Sequence, residues 1–311
     1  MQIGREAHLP VEIFHMKVTG KSRWGSMPAM IAKIEAAQRS GLNIAADMYP
    51  YVAGGSYLAA SLPPWVADGG PPKLLERLRD PKIREKIKSD MAEDHAEWEN
   101  LYFDCGGPTG VVLASVANPD LKKYTGLNIA EIAAQQKKDP LDALFDLIVD
   151  DNDRSSALYF LAGEDDLQYG LKQSWTSIGS DAGATSLDGP TYQPHTHPRA
   201  WGTMPRFLGH YARDMRMMPM QEAIRKMTSL PASREHLDRR GLLKEGYFAD
   251  IVVFDAAHIV DNATYSEPNQ LSTGIKFVFV NGQLEFEDGK ETGVMAGKPL
   301  HGRGWKQTAA K

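Results

Sequence analysis

The chain has 311 residues with a formal net charge of −5, and 42% of its residues are hydrophobic and 24% charged. These are ordinary values for a globular protein, and without a basic block they exclude nucleic acid as an expected partner. A single cysteine, Cys105, excludes an internal disulfide and favours a reducing compartment. No run of about 18 apolar residues is present, so we expect a cytoplasmic protein without a membrane span.

The first elements in chain order predict a parallel β–α–β unit. The apolar run Val11 to His15 is typical of a buried strand. Ser26 is a candidate N-cap for a helix with apolar residues at helical spacing over 27–37, and Gly41 ends it. A second apolar run over 42–48 follows. Two strands joined by a helix within about 40 residues predict parallel pairing.

The next block interrupts this alternation and predicts an inserted α+β segment over about 55–165. A Gly- and Pro-rich loop is followed by a charged helical stretch from Leu74 to roughly Asn100, a strand over 110–117, helices over 129–136 and 141–150, and a strand-like run over 157–162. A third apolar run over 176–180, ending at Asp181, resumes the parallel pattern.

The C-terminal part changes character. Helical patterns over 206–213 and 220–227 are followed by short β runs over 251–254, 275–280 and 284–286, with Asn281-Gly282 as a hairpin turn. We therefore predict two domains, one over 1–240 and a small β domain over 241–311.

Candidate functional side chains follow the ends of the predicted parallel strands, where functional groups of α/β folds cluster. Asp181 is a candidate general acid or base, or a cap of the following turn. His15 and Lys17 would share one side of an extended chain, as a metal ligand and an anion-binding group, although His15 also fits a core position. Tyr49 ends the second strand and either binds a ligand or packs.

The loop before residue 200 offers two further candidates. His195-Thr-His197 has the spacing of a metal-binding pair but lies in a Pro-rich loop with no third ligand nearby in sequence. The guanidinium of Arg199 could bind a carboxylate through two hydrogen bonds.

Together these residues resemble the N-acyl-D-amino-acid deacylase (D-aminoacylase) family of the amidohydrolase superfamily. The resemblance covers nearly the whole chain and is carried, in order, by His15-Met-Lys17-Val-Thr-Gly20, Ala46-Asp-Met-Tyr49-Pro-Tyr51, Tyr124-Thr-Gly126, Ile178-Gly-Ser-Asp181, His197-Pro-Arg199, Ala223-Ile-Arg-Lys-Met-Thr-Ser-Leu-Pro-Ala232, Arg240-Gly241, Phe248-Ala-Asp-Ile-Val-Val-Phe-Asp255 and Val280-Asn-Gly282. Each piece is modest alone, and the combination in this order is specific.

The resemblance implies strands 6–8 of a metal-dependent (β/α)₈ barrel, a C-terminal β-sandwich and zinc-dependent hydrolysis of an N-acyl-D-amino acid. It implies roles for individual residues: His15 as a metal ligand, Asp181 as the catalytic acid and base, and Lys17, Tyr49, Arg199 and Ser56 as substrate-binding residues. Gly55 fits the spacing of the family serine as well as Ser56 does.

One departure from the family pattern limits these expectations. The family's other metal-site residues lie upstream of anything in this sequence, so we expect a C-terminal fragment that is weakly active at most. The alternatives are an inactive partial chain, a subunit that needs a missing N-terminal half, and another amidohydrolase such as a dipeptidase. A small-molecule substrate is the expected partner, and a homo-oligomer is possible.

Overall fold

The computed structural model describes residues 1–95, 97–192 and 197–302. The strands of this part are β1 (Val11–Ile13), β2 (Ile44–Met48), β3 (Gly54–Tyr57), β4 (Val111–Ser115), β5 (Ser156–Tyr159), β6 (Thr176–Ile178), β7 (Ile251–Phe254), β8 (Ile275–Val280), β9 (Gln283–Glu287) and β10 (Lys290–Glu291). They form three separate sheets.

The α-helices of the described residues lie mostly between the strands. They are α1 (Gln2–Ala7), α2 (Met27–Arg39), α3 (Pro71–Arg79), α4 (Pro81–Met91), α5 (Leu101–Asp104), α6 (Ile129–Gln136), α7 (Pro140–Asp150), α8 (Glu164–Leu171), α9 (Arg199–Arg206), α10 (Met220–Met227) and α11 (Ser229–Arg234). A π-helical segment, Phe207–Asp214, continues α9.

The first sheet is parallel and has the strand order β1-β2-β6, as the β–α–β pattern predicts. Helix α2 packs on it with one buried face, Met27, Ile31, Ile34 and Ala37, because residues three and four apart lie on one side of a helix. Strand β1 ends at Ile13, earlier than predicted, and His15 has a φ of 40°. Three parallel strands are consistent with part of a barrel, and the barrel itself remains a prediction.

Between β2 and β6 the chain builds a unit with its own antiparallel sheet, of order β3-β5-β4, and its own apolar core. The sequence predicted one helix from Leu74 to roughly Asn100, and this is wrong. The structure has two helices there, α3 and α4, and the second ends at Met91. Pro81 cannot continue α3, since it lacks the N–H that the helix needs. The Asp80 side chain instead accepts a hydrogen bond from the Lys82 N–H and caps α4.

The C-terminal strands form one antiparallel sheet of order β10-β9-β8-β7. Its β8–β9 hairpin turns at Asn281 and Gly282, with φ of 50° and 82°, as expected for a tight turn with two left-handed residues. A sandwich needs two sheets, whereas the described residues of this tail form a single sheet. The sandwich and the boundary near residue 241 therefore remain predictions. No described helix is long and apolar enough to cross a membrane.

Candidate active site

The residues after β1 form the first part of the site. The backbone N–H of His15 donates a hydrogen bond to Asp47 Oδ1 over 2.8 Å, and Lys17 Nζ lies 2.6 Å from His15 Nδ1. The predicted proximity of His15 and Lys17 is present, but strand alternation is not its cause, because β1 has already ended. Burial lowers the pKa of Lys17 to about 8, an effect that Asp181 opposes and Arg199 reinforces.

Tyr49 follows β2, is buried, and lies close to two cationic side chains. The centre of its ring lies 5.2 Å from Lys17 Nζ and 4.7 Å from Arg199 Cζ, distances at which a ring face attracts a cation. Burial raises the pKa of the Tyr49 phenol to about 12. The hydroxyl therefore stays neutral at physiological pH and can donate a hydrogen bond.

Asp181 and Arg199 form an ion pair, with Arg199 Nη1 2.7 Å from Asp181 Oδ2. Asp181 lies three residues beyond β6 with a φ of 47°, a conformation that costs energy for a residue with a side chain. Arg199 is the first residue of α9, which ends at Arg206. The π-helical segment Phe207–Asp214 covers the range predicted as a helix, so the helical stretch begins earlier than predicted. The predicted base and the predicted carboxylate clamp are thus partners in this structure.

Each ring nitrogen of His197 contacts a backbone group. Its Nε2 lies 2.8 Å from the Ala53 carbonyl, and its Nδ1 accepts the backbone N–H of Arg199 at 3.0 Å. Burial, with help from Arg199, lowers the pKa of His197 to about 3. The metal-binding hypothesis for His197 is therefore wrong for this structure, since both nitrogens are occupied, and its predicted partner His195 lies outside the described residues.

Ser56 belongs to β3 and lines a cleft of about 640 Å³ together with Asp181 and Arg199. Its neighbour Gly55 lies close to the Arg199 guanidinium: a Cβ atom placed on Gly55 would be 3.9 Å from Arg199 Nη2. Both residues are exposed. The structure places both candidates at the cleft, and the substrate-binding role of Ser56 stays a prediction.

Asp47, in β2, is a site residue that the sequence reasoning missed. It accepts the His15 N–H and lines a second cleft, of about 450 Å³, together with Asp181. Burial raises the pKa of the Asp47 carboxyl, although the hydrogen bond from His15 opposes this. The rule that selected Asp181, a carboxylate near the C-terminal end of a parallel strand, would also have selected Asp47.

The described residues do not form a complete metal site. They contain no group of three or more His, Cys, Asp and Glu side chains able to hold a metal ion, whereas a catalytic zinc generally has three protein ligands. Because an ammonium group can only donate, Lys17 makes His15 Nδ1 an acceptor, and the neutral ring then carries its hydrogen on Nε2. In this arrangement Lys17 occupies His15 Nδ1. Cys105 is fully buried, and burial raises the pKa of its thiol to about 12.

Sequence comparisons identify relatives among the amidohydrolases. The sequence profile of the Amidohydrolase family matches residues 126–286. The chain is 34% identical over 299 residues to D-aminoacylase of Alcaligenes xylosoxydans xylosoxydans, a match that covers 96% of this chain and 50% of that protein. It is 29% identical over 286 residues to N-acyl-D-glutamate deacylase of the same organism, covering 92% and 47% of the two chains.

The similar solved structures are of the same types of enzyme as these relatives. A crystal structure of D-aminoacylase has a TM-score of 0.67 at 33% identity and covers 94% of this chain and 50% of that one. The N-acyl-D-glutamate deacylase of Bordetella bronchiseptica, solved with zinc and a phosphonate inhibitor, has a TM-score of 0.68 at 27% identity and covers 93% and 49%. The chain spans about half the length of the relatives that it matches. On this evidence the chain belongs to the amidohydrolase family.

Proposed function

We propose that the chain provides the substrate-carboxylate and acid–base side of a hydrolase that cleaves the amide bond of N-acyl-D-amino acids. The observation that carries the proposal is the contact series Lys17–Tyr49–Arg199–Asp181 at the C-terminal edge of the parallel sheet. It places two cations and one carboxylate around one buried phenol. The similarity to D-aminoacylase supports the choice of substrate.

The two cations suit the free carboxylate of such a substrate. Arg199 uses Nη1 for Asp181, while its Nη2 lies beside Gly55 at the cleft. A guanidinium has five N–H donors, so it can bind a second carboxylate without releasing the first. Lys17, 5.2 Å from the centre of the same Tyr49 ring, adds a second positive charge, and fixing the substrate at this end orients its amide bond.

Asp181 is the group that we assign to proton transfer. Hydrolysis forms a bond between a water oxygen and the acyl carbon, breaks the carbon–nitrogen bond and moves a proton from the water to the leaving amine. A carboxylate that takes the proton and returns it to nitrogen serves both steps. The ion pair with Arg199 holds Asp181 in one orientation between the two clefts that it lines.

Zinc is part of the proposal for the complete site, with His15 as one ligand. The described residues do not supply the remaining ligands, and metal binding at His15 Nδ1 requires Lys17 to leave that atom. Because the described residues do not provide a complete set of metal ligands, a second candidate function remains. In it the chain has no activity of its own and works as a subunit or needs a further polypeptide segment.

A dipeptidase is a weaker alternative on structural grounds. A dipeptide carries a free amino group, which calls for an unpaired carboxylate beside the bound substrate. Among the described residues that line the cleft with Arg199, the only carboxylate is Asp181, and it is already paired with that arginine. An N-acyl group, which has no such charge, fits this arrangement better.

The proposal is tested by calorimetric binding of N-acetyl-D-methionine and of its neutral carboxamide to the 311-residue chain. We expect the carboxylate to bind more tightly than the amide, and Arg199→Gln to remove the difference. Arg39→Gln, at an exposed position of α2, is the control. Equal binding of acid and amide by the unaltered chain would rule out the carboxylate site. Stoichiometric zinc and rapid hydrolysis by this chain alone would instead refute the incomplete metal site.

A further inference from the structure

The cleft that contains Asp181 and Arg199 extends away from them to the antiparallel sheet of the inserted unit. Its far wall is formed by residues of β3, β4 and β5 and by the turn before β5, including Ser56, Ser115, Ser156 and Arg154. Its volume of about 640 Å³ falls within the range of small-molecule pockets. Space therefore remains beyond the carboxylate site for the rest of a substrate.

The turn that carries Arg154 is fixed by the carboxylate of Asp151. This fully buried side chain accepts hydrogen bonds from the N–H of Ala117 at 2.9 Å, the N–H of Asn118 at 2.5 Å and the hydroxyl of Ser155 at 2.8 Å. Arg154 Nε in turn donates to the Asp151 carbonyl over 3.1 Å. The guanidinium is thus held at the cleft by the same residue that ties the turn to the end of β4.

Charge in the cleft is not balanced among the described residues. Those that line it carry the guanidinium groups of Arg154 and Arg199 and the carboxylate of Asp181. Asp181 pairs with Arg199, while Arg154 makes no ion pair with any carboxylate in the described ranges. One positive charge therefore faces the cleft without a partner and suits a negatively charged group of a ligand.

A pair of hydroxyl groups on the same wall adds a hydrogen-bond donor. Ser115 Oγ and Ser156 Oγ lie 2.6 Å apart. In such a pair one hydroxyl donates to the other, and the hydrogen of the accepting hydroxyl remains available. A carboxylate bound at this wall could accept from that hydroxyl as well as from a guanidinium.

We propose that Arg154, together with the Ser115–Ser156 pair, binds a second carboxylate of the substrate and so selects N-acyl-D-amino acids with two negative charges. The inference rests on the proposed function, because Lys17 and Arg199 are taken to hold the first carboxylate. The second one belongs either to the amino-acid side chain or to the acyl group. Both sources present the same chemistry to Arg154.

The test is calorimetric binding of two matched ligand pairs to the 311-residue chain. N-acetyl-D-glutamate is compared with N-acetyl-D-glutamine, and N-succinyl-D-alanine with N-succinamoyl-D-alanine, so that each pair differs only in the second charge. Because Arg154 is exposed, we expect the doubly charged member of one pair to bind about fivefold more tightly at low salt. The pair that shows the preference identifies the source of the second carboxylate.

Three variants separate this inference from the proposed function. Arg154→Gln should abolish the preference and leave binding of the singly charged ligand unchanged, while Arg154→Lys should retain part of it. Arg199→Gln should weaken all four ligands. An unchanged preference in Arg154→Gln, or no preference in the unaltered chain, overturns the role of Arg154 while the proposed function stands. A preference that depends on Arg154 but not on Arg199 supports the inference and contradicts the carboxylate clamp, and failure of all four ligands to bind overturns both.

Discussion

Lys226 is a buried lysine whose replacement should change how stability depends on pH. It lies in α10 with no exposed surface, and its Nζ donates to the carbonyl of Gln173, just before β6. Burial lowers the pKa of Lys226 from its ordinary value of 10.5 to about 8. The folded state therefore disfavours the charged form, and the group destabilises the fold when it is protonated.

The direction of the effect follows from proton binding. Between the two pKa values the unfolded chain binds more protons than the folded chain, so the free energy of unfolding rises with pH over this window. Each pKa unit corresponds to about 1.4 kcal/mol. The penalty of a charged Lys226 is thus about 3 kcal/mol at neutral pH, and most of it disappears between pH 8 and 10.5.

Lys226→Met keeps the length of the side chain and removes the charge. The Gln173 carbonyl still accepts the N–H of Thr176 at 3.1 Å, so the variant leaves that oxygen with a partner. We expect the stability of Lys226→Met relative to the unaltered chain to fall by about 2 to 3 kcal/mol between pH 7 and pH 10. Urea unfolding followed by tryptophan fluorescence measures this difference.

Lys33→Met, at an exposed position of α2, is the matched control for the loss of a lysine. A difference between Lys226→Met and the unaltered chain that stays constant from pH 7 to pH 10 would refute the reasoning. It would mean that Lys226 reaches water or a compensating charge in solution.

Other substitutions address the site and the turn. Lys17→Met should weaken binding of N-acetyl-D-methionine by about 1.5 to 3 kcal/mol in calorimetry, because a charge-assisted contact is lost, and unchanged affinity would place the carboxylate elsewhere. His197→Ala should lower stability by about 1 to 3 kcal/mol, because it deprives two backbone groups of their partner, and it should leave zinc content unchanged in elemental analysis. A fall in zinc would restore His197 as a ligand. Gly282→Ala, at a φ of 82°, should cost about 1 kcal/mol in urea unfolding, and no loss would argue against the left-handed turn.

Local patterns in the sequence determined α2, the three parallel strands, the Asn281-Gly282 turn and the family. The apolar spacing of α2 and the runs that became β1, β2 and β6 need only neighbouring residues to be recognised, because burial imposes a period of 3.6 on a helix and short apolar runs on parallel strands. The Asn281-Gly282 turn is equally local, since few residues adopt left-handed backbone conformations. The ends of the parallel strands also marked His15, Tyr49 and Asp181 as candidates.

Only the tertiary structure decided how these candidates pair. Asp181 and Arg199 are joined by an ion pair, and Lys17 meets His15 because the backbone turns sharply at His15 rather than continuing as a strand. His197 became a positioning residue when burial brought both of its nitrogens against backbone groups. Arg154 acquired its place from a turn held by Asp151. These contacts depend on where the folded backbone places each side chain and leave no periodic signal in the sequence, so they became visible only once the chain had folded.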